Sequence, residues 1–274
     1  MGEVEFPGGE VELARFWRSA GRSLKAVWLF GYAALEVMVK RPATREARAE
    51  WLHQFCARVV RRMDIRLEVT GRYPERGALI SNHIGYLDIM AFAALHRCVF
   101  VSKLELLHVP VLGWMTTMAG TVYVDRGHGG SAARAKSRMQ EAFDEGLTVV
   151  FFPEGTTSDG STVLEFRSGL LAQTLEAKQP VTAAYVRYRL DGDMNKDNGP
   201  DVTVGDDVCF WGEDAKLFRH VFRLVGLRGV VVEVKIADEP IKFSSDTLHR
   251  KQAAEEAREA VMQLGGVRAE QTVS

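Results

Sequence analysis

The sequence predicts an α/β fold: a mixed, largely parallel central sheet flanked by helices, with a two-helix element ahead of it. Three observations predict it. From residue 64 onward, short apolar runs alternate with longer stretches of helical spacing, the pattern of strands joined by crossover helices. Some of these runs, such as Ala78-Leu79-Ile80 and Thr148 to Phe152, are apolar without a polar alternate, as buried strands are. The polar stretches with the most reactive residues directly follow such runs, at the carboxyl ends where an α/β sheet gathers its sites.

Residues 1–63 are expected to form a helical hairpin. The first twelve are acidic and lack a signal-peptide pattern. Ala26 to Val39 is almost wholly apolar, with Trp28, Phe30 and Tyr32, but Glu36 interrupts it and it is shorter than the ~20 residues of a spanning helix. Pro42 then breaks the chain, and Thr44 with Ala47 starts a second helix to about Met63, with Trp51, Leu52, Phe55, Val59 and Met63 at helical spacing. Residues 13–62 hold eleven Lys or Arg against three acids, a net +8 in a chain of net −1. Basic charge coinciding with an aromatic-rich apolar run predicts an element lying in the headgroup region of a membrane, its basic side toward anionic lipid. The competing reading is a hairpin packed on the domain with a solvated basic face.

Residues 64–274 form the α/β domain. Strands are expected at Ile65 to Thr70, Gly77 to Ile80, Val99 to Ser102, Thr121 to Val124, Thr148 to Phe152, Val181 to Arg189 and Gly229 to Ile236. Helices are expected at Leu87 to Leu95, Val111 to Met118, Ala132 to Asp144, Phe166 to Lys178, and Thr247 to Leu264, the last burying Leu248, Ala257, Val261 and Leu264. Residues 191–201 read as a solvated polar loop without the spacing of a calcium site. Trp211 and Leu217 to Leu227 make an apolar-basic stretch that either packs on the sheet or touches lipid.

Composition narrows the function. Hydrophobic residues at 46%, charged ones at 26% and a net charge of −1 describe an ordinary globular chain and argue against a general nucleic-acid binder. Three scattered cysteines, Cys56, Cys98 and Cys209, suggest neither a disulfide framework nor a zinc site. The seven histidines are dispersed, without a His-Glu-x-x-His run, and no Gly-x-Ser-x-Gly elbow follows a strand. These absences weigh against metal and serine hydrolases.

The stretch Ser81-Asn82-His83-Ile84-Gly85-Tyr86-Leu87-Asp88 lies between a strand and a helix. Asp88 in the first turn of that helix can fold its carboxylate back onto the His83 imidazole, fixing its tautomer and leaving the other nitrogen to take a proton from a hydroxyl. A helix-start aspartate beside a turn histidine is the plain alternative. Lys103, after Val99 to Ser102, and Arg126, after Thr121 to Val124, point to the same mouth, where paired cations suit an anionic acceptor. Arg126 is equally readable as a surface arginine paired to Asp125 or Glu154, and Pro153-Glu154-Gly155-Thr156 as a turn.

Taken together, Asn82-His83 with Asp88, then Gly120-Thr121-Val122-Tyr123-Val124-Asp125-Arg126, then Phe151-Phe152-Pro153-Glu154-Gly155-Thr156-Thr157 resemble the glycerolipid acyltransferase family over roughly residues 60–240. The resemblance implies acyl transfer from a thioester, coenzyme A or acyl carrier protein, to a lysolipid hydroxyl, with no further cofactor and no metal. It implies His83 and Asp88 as the catalytic pair and Asn82, Arg126, Glu154, Gly155 and Thr156 at the substrate, where position after its strand also puts Lys103, and it seats the N-terminal helices on the cytoplasmic face of the cell membrane, as a peripheral or monotopic protein. The expected acceptor is 1-acylglycerol-3-phosphate, with lyso-ornithine lipid or another lysolipid as alternative. Two departures bear on this: Thr157 stands where phosphate-handling members usually have arginine, and Ala183 replaces the second proline usual in the fourth motif, Gln179-Pro180-Val181-Thr182-Ala183. Oxyanion donors are expected among backbone N–H groups near His83 or around Glu154-Gly155. Leu104, Leu106, Leu107, Val109, Val111 and Leu112 are candidates for an acyl tunnel, though core packing is their commoner fate. A hydrolase using the same pair on water, and a lipid-binding protein without turnover, are the competing classes.

Overall fold

The computed structural model describes residues 7–109, 112–124, 131–212, 216–244 and 249–267. The helices are α1 Pro7–Lys40, α2 Arg45–Arg62, α3 Tyr86–Leu95, α4 Leu112–Met118, α5 Ser131–Asp144, α6 Ser168–Glu176, α7 Gly192–Asn195, α8 Val204–Asp207, α9 Leu217–Val225 and α10 Arg250–Gly265. The strands are β1 Arg66–Thr70, β2 Ala78–Ile80, β3 Cys98–Lys103, β4 Val122–Val124, β5 Thr148–Phe151, β6 Val181–Leu190 and β7 Val230–Ile236.

Among the described residues the strands form one seven-stranded sheet in the order β1-β7-β6-β2-β5-β3-β4. From β6 to β4 every pairing is parallel. β7 lies antiparallel to β6, and β1 runs parallel to β7. The sheet is thus mixed and largely parallel. Side-chain alternation along the central strands feeds two cores. Leu79, Val150 and Phe152 join Trp51, Phe55 and Phe92 beneath α2 and α3. Ile80, Val149 and Phe151 join Met139, Leu171 and Ala257 beneath α5, α6 and α10. Strands sandwiched between helix layers can be apolar at every position, which is why β2 and β5 are buried throughout.

The N-terminal region departs from expectation in two ways. The apolar run at Ala26 to Val39 belongs to one 34-residue helix that begins at Pro7. No proline lies between Pro7 and Lys40, so nothing stops the helix until Pro42. Thr44 then caps α2 by accepting from the Ala47 N–H at 3.1 Å. Four of the cations on α1 also turn toward the protein. Arg15 donates to the Asn198 carbonyl, Arg18 to the Gly226 and Asp197 carbonyls, Arg22 to the Val225 and Leu227 carbonyls, and Lys25 to the Arg62 carbonyl. Long basic side chains reach inward to satisfy carbonyls that helix and turn ends leave unpaired. The loop at 191–201 is likewise more than a solvated connection: it contains α7, and the wholly buried Asn198 binds both the N–H and the carbonyl of Arg228. In α10 Ala257 and Val261 are fully buried and Leu264 partly so, while Leu248 falls outside the described residues.

Candidate active site

β2 and β5 pair in register, Ile80 opposite Phe151, so the chain leaves both strands at the same edge of the sheet. The turn after β2 brings His83 and the turn after β5 brings Glu154 to that edge. Asn82 fixes the first turn. Its amide nitrogen donates to the Val186 carbonyl at 2.9 Å and its carbonyl accepts from the Val186 N–H at 2.8 Å, continuing the β2–β6 ladder beyond the end of β2. This corrects the expectation of Asn82 as a substrate contact: its carboxamide is spent on β6, and the residue is buried.

Asp88 is the third residue of α3 and completely buried. One carboxylate oxygen, Oδ2, accepts from the N–H groups of Ile84 at 2.8 Å and Gly85 at 3.2 Å, satisfying donors at the helix start, and also binds His83 Nδ1 at 2.8 Å. The other, Oδ1, accepts from the Tyr188 hydroxyl. With Nδ1 committed to a carboxylate, the ring is held as the tautomer whose Nε2 is the free base. No described residue bonds Nε2, and the His83 side chain keeps 17% exposure. The imidazole lies flat on Phe152, 4.0 Å between centroids and 9° between planes. The ring is thus fixed by a charge at one edge and an aromatic face beneath.

Tyr188 is the residue the sequence reading missed. It sits on β6, 100 positions from Asp88, and no local spacing links them. Burial, with Asp88 beside it, pushes its hydroxyl well above the ordinary phenol range, so it stays protonated and serves as a donor.

Glu154 is also turned inward. Its carboxylate receives the His83 N–H at 3.1 Å and the Leu164 N–H at 3.0 Å, tying the two turns together. Burial pushes its pKa up to about 7, against the opposing pull of those two N–H groups and of Arg258. Gly155, at φ +68°, makes the turn that follows, its N–H donating to the Phe152 carbonyl at 3.0 Å. Ser158 N–H closes the cup on the His83 carbonyl at 2.9 Å.

These bonds narrow the expected oxyanion donors. The N–H groups of His83, Ile84, Gly85 and Gly155 are all engaged within the protein. Those of Glu154, Thr156 and Thr157 have no partner among the described residues.

Lys103 ends β3 at the same edge, two strands from β2, and is exposed. Arg126 lies outside the described residues. Of the tunnel candidates, Leu104, Leu106 and Leu107 form a single 3-10 turn, Leu104–His108, that buries no residue, so they are not core. Val111 is outside the described residues, as is the side chain of Leu112. A cleft of about 630 Å³ opens between α2, α4, β4 and α5, but it lies at the amino end of β4, away from His83.

Three comparisons with known proteins agree. A family model described as Acyltransferase matches residues 64–187. The chain is 34% identical over 213 residues to a lyso-ornithine lipid O-acyltransferase of Pseudomonas aeruginosa, spanning 77% of this chain and 75% of that one. It is 31% identical over 206 residues to a 1-acyl-sn-glycerol-3-phosphate acyltransferase of Neisseria gonorrhoeae, spanning 73% and 76%. The crystal structure of the 1-acyl-sn-glycerophosphate acyltransferase PlsC from Thermotoga maritima superposes with a TM-score of 0.59 at 20% identity, covering 94% of this chain and 98% of that one. That last likeness speaks for the fold.

Proposed function

The chain belongs to the glycerolipid acyltransferase family, and from that premise we propose that it moves a fatty acyl chain from a thioester onto the hydroxyl of a lysolipid at a membrane surface, with His83 as base and Asp88 as its orienting group. The observation that carries this is the His83 Nδ1–Asp88 Oδ2 bond at 2.8 Å beside an unengaged Nε2. In the proposed step Nε2 takes the proton of the acceptor hydroxyl as its oxygen attacks the thioester carbonyl. The tetrahedral intermediate collapses by breaking the C–S bond, and the departing thiolate takes the proton back from the imidazolium. An ester and a free thiol result, with no enzyme-bound acyl group. The N–H groups of Glu154, Thr156 and Thr157 are candidate donors to the oxyanion. Base catalysis of this kind typically contributes ~100- to 10,000-fold.

The donor is proposed to be acyl-coenzyme A or acyl carrier protein, and the enzyme to work on the cytoplasmic face. For the acceptor, the run Glu154-Gly155-Thr156-Thr157, with threonine where an arginine would meet phosphate, together with the lyso-ornithine activity named for the Pseudomonas relative, favours lyso-ornithine lipid. The second reading, 1-acylglycerol-3-phosphate, is favoured by the neisserial relative and by the cation of Lys103 at the mouth.

No described helix is long and apolar enough to cross a membrane. Along α1, however, Leu13, Trp17, Leu24, Trp28, Leu35 and Val39 are all exposed, spaced four and seven apart along one face. A stripe of this kind suits a helix lying in the headgroup region.

The test is acyl transfer with purified protein, labelled acyl-coenzyme A or acyl carrier protein, and separate lysolipid acceptors, beside His83→Ala. Product from lyso-ornithine lipid, lost in the variant, is the expected result. A variant that keeps most of the rate would sink His83 as base. Product from 1-acylglycerol-3-phosphate alone would move the acceptor to the second reading.

A further inference from the structure

We infer that α9 continues the lipid-facing surface of α1, so that the bilayer extends to the rim of the His83 site. This rests on the reading of α1 as a membrane-surface helix.

Phe218 on α9 is 67% exposed. One turn on, Phe222 occupies the same helical face and meets Phe16 of α1, itself 51% exposed, at 5.8 Å between ring centroids. The two apolar stripes are therefore joined. Their junction is firmly built. A Cβ on Gly226, just after α9, would fall 2.0 Å from Ser19 Oγ of α1 and 3.2 Å from the Arg15 carbonyl, so a larger residue there would push the two helices apart. Arg18 and Arg22 bind the carbonyls of Val225, Gly226 and Leu227 there.

The opposite side of α9 faces the catalytic turn. His220 Nδ1 is 3.0 Å from the hydroxyl of Tyr86, the first residue of α3. Phe210 packs on both rings, and its N–H donates to the Ile84 carbonyl at 2.9 Å, next to His83. One helix thus has phenylalanines outward and the active-site turn inward.

Charge identifies the occupant. α9 contains no acid, and Lys216 and Arg219 are exposed beside Phe218 without an acidic partner among the described residues. Aromatic side chains rimmed by unpaired cations match an anionic lipid surface.

The experiment places an environment-sensitive NBD fluorophore at Phe218→Cys in the full chain and, separately, at Glu239→Cys, an exposed position beyond the far end of β7. Cys56, Cys98 and Cys209 are buried, so labelling falls on the introduced thiol. Vesicles of phosphatidylcholine and phosphatidylglycerol are then added, with co-sedimentation measured in parallel. The expected result is a blue-shifted, severalfold brighter signal at 218 and none at 239. Protein that sediments with vesicles while 218 stays unchanged overturns this inference and leaves α1 on the membrane. Protein that does not sediment overturns both. A chain that is dimeric without lipid and becomes monomeric on Phe218→Glu would give the stripe to a second copy, and also overturns the proposal.

Discussion

The catalytic turn and α1 solve opposite problems. At residues 81–88 and the adjoining turn at Glu154 polar groups are inside and paired: Asn82, Asp88 and Glu154 are all buried, and each accepts from backbone N–H. Along α1 apolar groups are outside and unpaired, Leu24 at 73% and Trp28 at 60% exposure, while the cations turn inward to carbonyls. Burying a charge is tolerable only when hydrogen bonds replace its water. Exposing a long apolar stripe is tolerable when something other than water covers it. The first region is arranged for chemistry that needs a fixed base. The second is arranged for a non-aqueous neighbour.

The sharpest way to break this contrast is Asp88→Asn. The amide can no longer accept every donor now aimed at the carboxylate and no longer fixes the His83 tautomer, so kcat should fall about a thousandfold, toward the level of His83→Ala. Steady-state kinetics on the two variants would show it. A modest loss would mean that the closed network holds the fold and not the base.

Glu154→Gln sharpens the contrast through pH. Burial raises the Glu154 carboxyl from an ordinary 4.5 to about 7, so between those values the folded chain holds a proton the unfolded chain has released. Stability contributed by the neutral form is present below about 4.5 and is lost as pH rises through about 7, by roughly 3 kcal/mol at most. Denaturant melts from pH 5 to 8 should slope downward for the native chain relative to Glu154→Gln. Parallel curves would mean that the carboxylate stays charged throughout.

On the other side of the comparison, Leu24→Glu places a charge in the exposed stripe. It should weaken vesicle binding by about tenfold, the loss expected for one large apolar contact, and leave the melting midpoint almost unmoved, as surface changes do. A fall in the midpoint with unchanged vesicle binding would show that the stripe faces protein. A loss of similar size is expected from Tyr188→Phe, about tenfold in kcat with KM unchanged, since one hydrogen bond to the Asp88 carboxylate is lost and Asp88 keeps its others. An unchanged kcat would make Tyr188 a packing residue.

Much of this was readable in advance. The alternation of strands and helices, the edge at which the motifs gather and the meeting of His83 with Asp88 follow from local spacing, and the structure has all three. What escaped reading depends on partners far away in the chain. Asn82 meets Val186 and Asp88 meets Tyr188 only because β6 lies beside β2, and periodicity carries no record of which strands neighbour. The antiparallel β7 is of the same kind. The α1 cations misled for another reason: charge density along a sequence does not say which way an arginine turns, and here carbonyls at helix and turn ends decided it.

Those inward arginines set an order of events in synthesis. Arg15, Arg18 and Arg22 bind carbonyls 183, 208 and 205 positions further along the chain. At a ribosome adding ~5–20 residues each second, such partners emerge roughly ten to forty seconds after the helix that needs them. For that interval α1 has its apolar stripe but not its anchors. The helix made first is the one whose docking is completed last.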